Sequence, residues 1–290
     1  MTNVDVKRYD RLFNRFTNSK EINEGIMLIE NTNGDYSFDK EYGGMSLDSP
    51  FIMASITKLF TTTCILILLE HKKLSLDDKV SKYIDEKLLN GIHIYKGKDY
   101  SLELTISDLL FQISGLPDVY LEGKASVKNR VIQEDFYITF SDMLGMVKDL
   151  KAHFEPRQKG KAYYADINFD ILGEIIKKVS GLTLSEAYRN YIFEPLDLSY
   201  TYLPENENDR IPQLYYKNQA IHRPKMVISS AASGGCISTA HELMIFTKAF
   251  FGGKLFNKNM FISLSNYNKL QTAMGPICYG GGYMQIPLDG

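Results

Sequence analysis

The chain has 290 residues, enough for one large domain or two interleaved ones with a sizeable buried core. Apolar residues make up 44% and charged residues 23%, so the composition is that of a globular protein, not a disordered or fibrous one. The net charge of −2 leaves no electrostatic footprint for nucleic acid or an acidic membrane surface.

The first twenty residues contain no continuous apolar stretch and do not read as a secretory signal. Val6, Tyr9, Leu12, Phe13 and Phe16 instead recur at helical spacing, which predicts an amphipathic helix over 5–18. Residues 25–30 form a short apolar run. The turn-prone Asn31–Asp35 follows, and then the alternating Tyr36–Asp39, a pattern that predicts a β-hairpin. From Ser55 to about His71 the pattern is helical and apolar on most faces, which places this helix at the centre of a domain. Residues 72–78 end it and start another short helix. Thr105 and Asp108 have the spacing of a capping box, and Gly115-Leu116-Pro117 stops the helix that they open. Residues 120–160 are polar and helix-prone. Residues 167–180 read as an amphipathic helix ended by Gly181, and 184–192 as another, stopping before Pro195. Residues 203–225 read as loop and Ala231–Ile237 as a stretch of small residues. Thr239–Phe251 is again helical, ended by Gly252-Gly253, and Cys278–Ile286 is strand-forming. The longest apolar run, Cys64–Leu69, is far too short to span a bilayer.

Strands near both ends and helices between them predict an α+β fold: an antiparallel β-sheet built from N- and C-terminal segments, flanked by helices, with a large helical insert. The expected division is 1–75 with 226–290 as the sheet subdomain and 76–225 as the mainly helical one. Cys64, Cys236 and Cys278 lie far apart and fit no zinc pattern; they read as free thiols in a reducing compartment. Five scattered histidines make no metal signature, and no cofactor is expected. The chain as given reads as cytoplasmic, and an exported protein trimmed of its signal would look the same.

The chemistry-bearing pattern is Ser-x-x-Lys. It occurs at Ser55…Lys58 and at Ser37…Lys40, and about two matches are expected by chance in a chain this rich in both residues. Secondary structure separates them. Residues i and i+3 share a face on a helix but point to opposite sides of a strand. Ser37 and Lys40 fall in the hairpin, whereas Ser55 and Lys58 open the buried helix, where hydroxyl and amine can meet. A serine hydroxyl is a poor nucleophile until a base takes its proton, and a lysine serves as that base if burial lowers its pKa. The same two residues also fit a plain N-cap and a solvated first-turn lysine.

Four segments change that balance. Phe51–Thr61 resembles the nucleophile segment of the serine β-lactamase and penicillin-binding protein superfamily, in particular the class C β-lactamase-related group that includes DD-peptidases and esterases. Leu104–Pro117 resembles that group's helix ending in Ser-Gly-Leu-Pro, Tyr163–Gly173 its Tyr-x-Asn or Tyr-x-Asp motif, and Ala232–Leu243 its Gly-Gly-x-x-Ser-Thr-Ala segment. The resemblance spans about residues 20–285. It implies a serine hydrolase that forms an acyl-enzyme on a β-lactam, a D-amino-acid peptide or a small ester, with Ser55, Lys58 and Tyr164 catalytic. It further implies that Asp166 and Gln112 (where relatives often carry His) bind substrate, Asp166 alternatively holding Lys58, with a small-molecule or peptide substrate as partner, no nucleic acid and no membrane span, and the oligomeric state left open. Taken alone, Tyr164 also fits a half-buried tyrosine before a helix, and Asp166 an N-cap. One departure stands out. Tyr279-Gly280-Gly281-Gly282-Tyr283 is present, but no Lys-[Ser/Thr]-Gly or His-x-Gly follows the second motif. The family's third motif supplies one oxyanion N–H, and losing one such donor costs about 10²–10³ in rate. The chain is therefore expected to be truncated in its last strands, and a non-catalytic penicillin- or cell-wall-fragment-binding relative stands as the alternative.

Overall fold

The computed structural model describes residues 3–271 and 276–286. The first helix, Asn3–Thr17, lays Tyr9 and Phe13 on the hairpin, with the rings of Tyr9 and Phe38 5.5 Å apart. Its apolar stripe is wider than the surface it meets, so Leu12 and Phe16 remain exposed. The hairpin forms as expected, Gly25–Glu30 antiparallel to Ser37–Tyr42 in the register Gly25↔Tyr42 to Glu30↔Ser37. Its far side is tied to the helix Ala240–Gly252 by a Lys248–Glu30 ion pair of 2.5 Å.

The N- and C-terminal segments meet where Phe51–Ile52 pairs antiparallel with Ile237–Ser238. The Cys278–Ile286 stretch folds elsewhere. Cys278–Tyr279 pairs with Met284–Gln285 and with Asn268–Lys269, so among the described residues the strands form several short ladders.

The helix Thr57–Glu70 runs through the middle of the core and is buried from Thr57 to Leu68 on all faces except at Leu59. Phe60 stacks on Phe246 at 3.9 Å and meets Phe193 edge-on. Buried hydroxyls need partners, and the threonines of this helix have them. Thr61 Oγ1 lies 2.6 Å from both Tyr188 Oη and the Ala232 carbonyl, Thr62 donates to Gly282 O, and Thr63 donates to Leu59 O. Gly282 must be glycine here, since at φ +89° a Cβ would sit 2.2 Å from Thr62 Oγ1.

The capping box forms: Thr105 accepts from Asp108 N, and Asp108 Oδ2 accepts from Thr105 N at 2.9 Å. The long second-half helix is Ile167–Ser180, closed by Gly181 at φ +74°. Two expectations are corrected. Residues 72–78 do not start a helix, because Lys72 turns left-handed and Asp78 instead accepts from Ser75 N in a tight turn. The 203–225 stretch is not all loop: Leu214–Tyr216 pairs with Gln219–Ile221 around Lys217 and Asn218, both at positive φ. Two positive-φ residues make a hairpin turn of the primed type, a turn usually announced by Asn-Gly, whereas here the pair is Lys217-Asn218. Among the described residues no helix is long and apolar enough to cross a membrane.

Candidate active site

Ser55 lies on a single 3₁₀ turn, Ala54–Ile56, that feeds directly into the central helix. The strand Phe51–Ile52 stops at Met53, whose N–H donates to Cys236 O at 2.9 Å, and Ala54 then adopts φ +46°. A left-handed alanine is unfavourable by about 1–2 kcal/mol. Such strain gathers where a side chain is held in a required direction, and here it presents Ser55 at the helix entrance.

Lys58 is one turn further on and almost wholly buried, its side chain 3% exposed. Its ammonium donates to Ser55 Oγ at 3.2 Å and to the Ser233 carbonyl at 2.7 Å, and forms an ion pair with Asp166 Oδ1 at 2.5 Å. The ring centroids of Tyr164 and Phe169 lie 5.1 and 5.6 Å from Nζ. Burial is the largest single influence on Lys58 and pushes its pKa down, but Asp166 and Tyr164 together push it further up, so the net lies above the ordinary lysine value. The expectation that burial would leave Lys58 a free amine is thereby corrected. The counter-ion wins, and the resting residue is an ammonium. For Tyr164 burial again dominates and raises the pKa, with Lys58 and Ser55 pulling it back, so the phenol rests neutral.

Two packing features bring these groups together. Gly173 lets the helix Ile167–Ser180 approach Ala231–Gly234 so closely that an added Cβ would stand 2.5 Å from Ala232 Cβ. That approach sets the Ser233 carbonyl over Lys58. The second feature is a buried amide network that fixes the Tyr164 segment. Gln112, at φ +57° and fully buried, accepts through Oε1 from Ala165 N at 3.0 Å and from Asn168 Nδ2 at 2.5 Å. Its backbone carbonyl accepts from Tyr163 N, and Ser114 Oγ donates to Asn168 Oδ1.

The structure therefore brings together Ser55, Lys58, Tyr164 and Asp166. Gln112 is fully buried and braces the Tyr163–Ala165 backbone, because its amide is the partner those buried N–H groups require. Asp166 makes no side-chain cap for the helix it precedes; its carboxylate faces Lys58.

Sequence reasoning missed Asp118 and Ser233. Asp118 is 1% exposed, and its Oδ1 accepts from Tyr120 N at 3.2 Å and from Asp166 N at 3.3 Å. Burial first, and then the neighbouring Asp166, push its pKa up to about 7. Its only signal in the sequence is a charged residue directly after the Ser-Gly-Leu-Pro turn. Ser233 acts through its backbone carbonyl, which no residue-type pattern can announce. Asp170, also buried, has its carboxyl held well above the usual range by burial, with Ser233 pulling the other way.

Ser55 opens onto a cavity of about 330 Å³ whose lining also includes Asp166, Tyr120 and Ser233.

The family model described as Beta-lactamase matches residues 18–285. The chain belongs to the Beta-lactamase family. Among curated relatives it is 30% identical over 193 residues to Protein flp of Staphylococcus aureus, covering 63% of this chain and 36% of that one. It is 25% identical over 265 residues to PbpX of Bacillus subtilis, covering 90% and 60%. The chain thus spans between about a third and three-fifths of the length of these relatives. Solved structures share the fold. An octameric penicillin-binding protein homologue from Pyrococcus abyssi matches with a TM-score of 0.76 at 22% identity, over 97% of this chain and 65% of that one. A D-stereospecific amidohydrolase from Streptomyces sp. matches at 0.73 and 21%, over 91% and 78%. EstCE1, a hydrolase with promiscuous acyltransferase activity, matches at 0.72 and 17%, over 96% and 82%. The mixed α/β architecture of the β-lactamase and transpeptidase fold and membership of a serine-hydrolase-like family are established on these grounds.

Proposed function

We propose that the protein is a serine hydrolase that works through an acyl-enzyme on Ser55. The observation that carries this reading is the Lys58 ammonium, buried beside the Ser55 hydroxyl at 3.2 Å and held at 2.5 Å by Asp166. The resting ammonium cannot take a proton. The reactive form is therefore the fraction of the protein in which Lys58 has given up that proton to solvent and is the free amine. The amine then accepts the Ser55 proton as Oγ attacks the substrate carbonyl. As the tetrahedral adduct collapses, Lys58 returns that proton to the leaving group, with the neutral Tyr164 phenol as a second donor alongside. Water then attacks the acyl-enzyme, transferring its proton to the same amine, which passes it to Ser55 Oγ as the acyl–oxygen bond breaks and the acid product leaves. The candidate substrates are a β-lactam, a D-amino-acid peptide or amide, and a small ester. The test is intact-mass analysis after incubation with a fluorophosphonate and with labelled penicillin. A single adduct on the wild type, absent from Ser55→Ala, is expected; no adduct, or an equal adduct on Ser55→Ala, would sink the assignment.

A second reading has one observation in its favour. Lys58 is tied down at rest by two hydrogen bonds and an ion pair, which suits a protein that acylates once and releases slowly, as a penicillin or cell-wall-fragment sensor would. Multiple turnovers of p-nitrophenyl acetate per Ser55 favour the enzyme, and one stoichiometric burst favours the sensor.

A further inference from the structure

The cavity at Ser55 is walled by apolar side chains from three separate elements. Val127 and Val131 come from the short helix Val127–Val131, Leu214 from the strand Leu214–Tyr216, and Met226 and Val227 from the helix Pro224–Ser229. The volume of about 330 Å³ falls at the lower end of the range for small-molecule sites.

These walls are braced against one another. Arg223 Nε donates to Val131 O at 2.6 Å and its Nη2 to Ile132 O, tying the end of one wall helix to the start of the other. The Asp135 carboxylate accepts from Lys225 N and Met226 N, both at 3.1 Å, capping the second helix from the chain that follows the first. Ile138 N donates to Ser229 Oγ at 3.0 Å. A cavity cross-linked in this way is pre-formed, so a ligand that enters it does not have to order it.

The charges around it point one way. Lys58 is engaged by Asp166 and Arg223 by backbone carbonyls, and the one cation of the lining, Lys128, is exposed to solvent. The acidic group of the lining is Asp166.

We propose that this cavity receives the acyl half of the substrate and selects an uncharged, apolar acyl group of medium length. The inference rests on Ser55 being the nucleophile and goes beyond it in naming what is attached to the reacting carbonyl. A buried methylene is worth a factor of about four, so the rate should climb with acyl length until the cavity is filled. A carboxylate at the end of the same chain would meet apolar walls and Asp166, while the one lysine of the lining, Lys128, is exposed to solvent, so the carboxylate should be rejected.

The experiment compares kcat/KM for p-nitrophenyl acetate, butanoate and hexanoate, and for the glutarate hemiester, with fluorophosphonate labelling measured on the same preparations. The expected result is a rise of about three- to fourfold per methylene through the neutral esters, with the hemiester at least about tenfold below hexanoate. Val131→Asp and Leu214→Asn, on two different walls, should each pull the hexanoate-to-acetate ratio down toward one. Equal rates for acetate and hexanoate, or a hemiester as good as hexanoate, in a protein that labels at Ser55, overturns the pocket assignment and leaves the nucleophile standing. No labelling and no turnover of any ester overturns the nucleophile reading, and this inference with it.

Discussion

The molecule contains the same four-residue pattern twice. At Ser37…Lys40 it lies on a strand: Ser37 is exposed, and Lys40 reaches away to Asp10 at 2.9 Å. At Ser55…Lys58 it lies across the entrance of a helix, and the two side chains meet at 3.2 Å. Spacing is identical in the two places, and the backbone decides what it means. The surroundings differ as sharply. The Lys40–Asp10 pair stands in solvent, where such pairs contribute about 0–1 kcal/mol. Lys58 sits among buried groups whose charges can be balanced only by one another.

The most direct way to break that comparison is to remove each pair in turn. Lys58→Ala should reduce hydrolysis of an activated ester by at least about 10³-fold, as loss of a base that acts as a unit with its nucleophile does. Ser37→Ala with Lys40→Ala should leave the rate within twofold or so. Equal losses at the two sites, read from kcat/KM on p-nitrophenyl acetate, would mean that the helical pair has no special role.

A finer cut is Asp166→Asn, which keeps the shape but removes the counter-ion. It leaves Lys58 to burial, the influence that depresses its pKa. The sign follows directly. In the wild type Lys58 is raised, so its contribution to stability is present below the unfolded lysine pKa and is lost as pH rises through the raised folded value. In the variant the shift reverses, the amine is neutral at lower pH, and the ascending limb of the pH–rate profile should move to lower pH. Breaking a buried pair costs about 3–5 kcal/mol in stability, so thermal melts at pH 7 and the pH–rate profile should be measured together. An unmoved limb would show that Asp166 does not hold Lys58 charged.

Much of this was legible in the sequence because the signals were local. The central helix, the Thr105–Asp108 cap, the hairpin, and the Ile167–Ser180 helix with its Gly181 stop all follow from periodicity and end chemistry. What was hidden lies in long-range pairings. Gln112 has the composition of a substrate-binding residue and the position of a relative's histidine, yet its amide is claimed by backbone 53 residues away at Ala165. The charge state of Lys58 depends on Asp166 and on the depth of burial, neither of which spacing encodes. The Ser233 carbonyl reaches Lys58 only because Gly173 permits two helices to touch.

The smallest expected effect concerns Asp118, and it separates the two lysine sites most cleanly, because only one of them has a second carboxyl behind it. The groups facing Asp118 are Asp166, whose N–H it accepts, Lys58 beyond, Asp170 on the same helix as Asp166, and Glu122, whose Oε1 accepts from Asp118 N and is shared with Tyr163 and His153. Burial and Asp166 raise its pKa to about 7. A carboxyl raised in this way stabilises the fold while it is protonated: the contribution is complete below its unfolded pKa and is lost as pH climbs through about 7. Asp118→Asn mimics the protonated acid and keeps the acceptor for Asp166 N and Tyr120 N. The wild type should therefore lose melting temperature relative to Asp118→Asn between pH 5 and pH 8, by on the order of 1–2 kcal/mol or a few degrees, since Lys58 offsets part of the charge. The slope, unlike the absolute melting temperature, is unaffected by any constant packing difference between the two proteins. Activity gives the complementary reading. Lys58 and ionised Asp118 stabilise each other's charged forms, so ionised Asp118 holds Lys58 more firmly as the ammonium. The ascending limb of the pH–rate profile, where Lys58 loses its proton, should therefore lie at lower pH in Asp118→Asn than in the wild type. Parallel melting curves together with an unchanged limb would place the charge control of Lys58 on Asp166 alone.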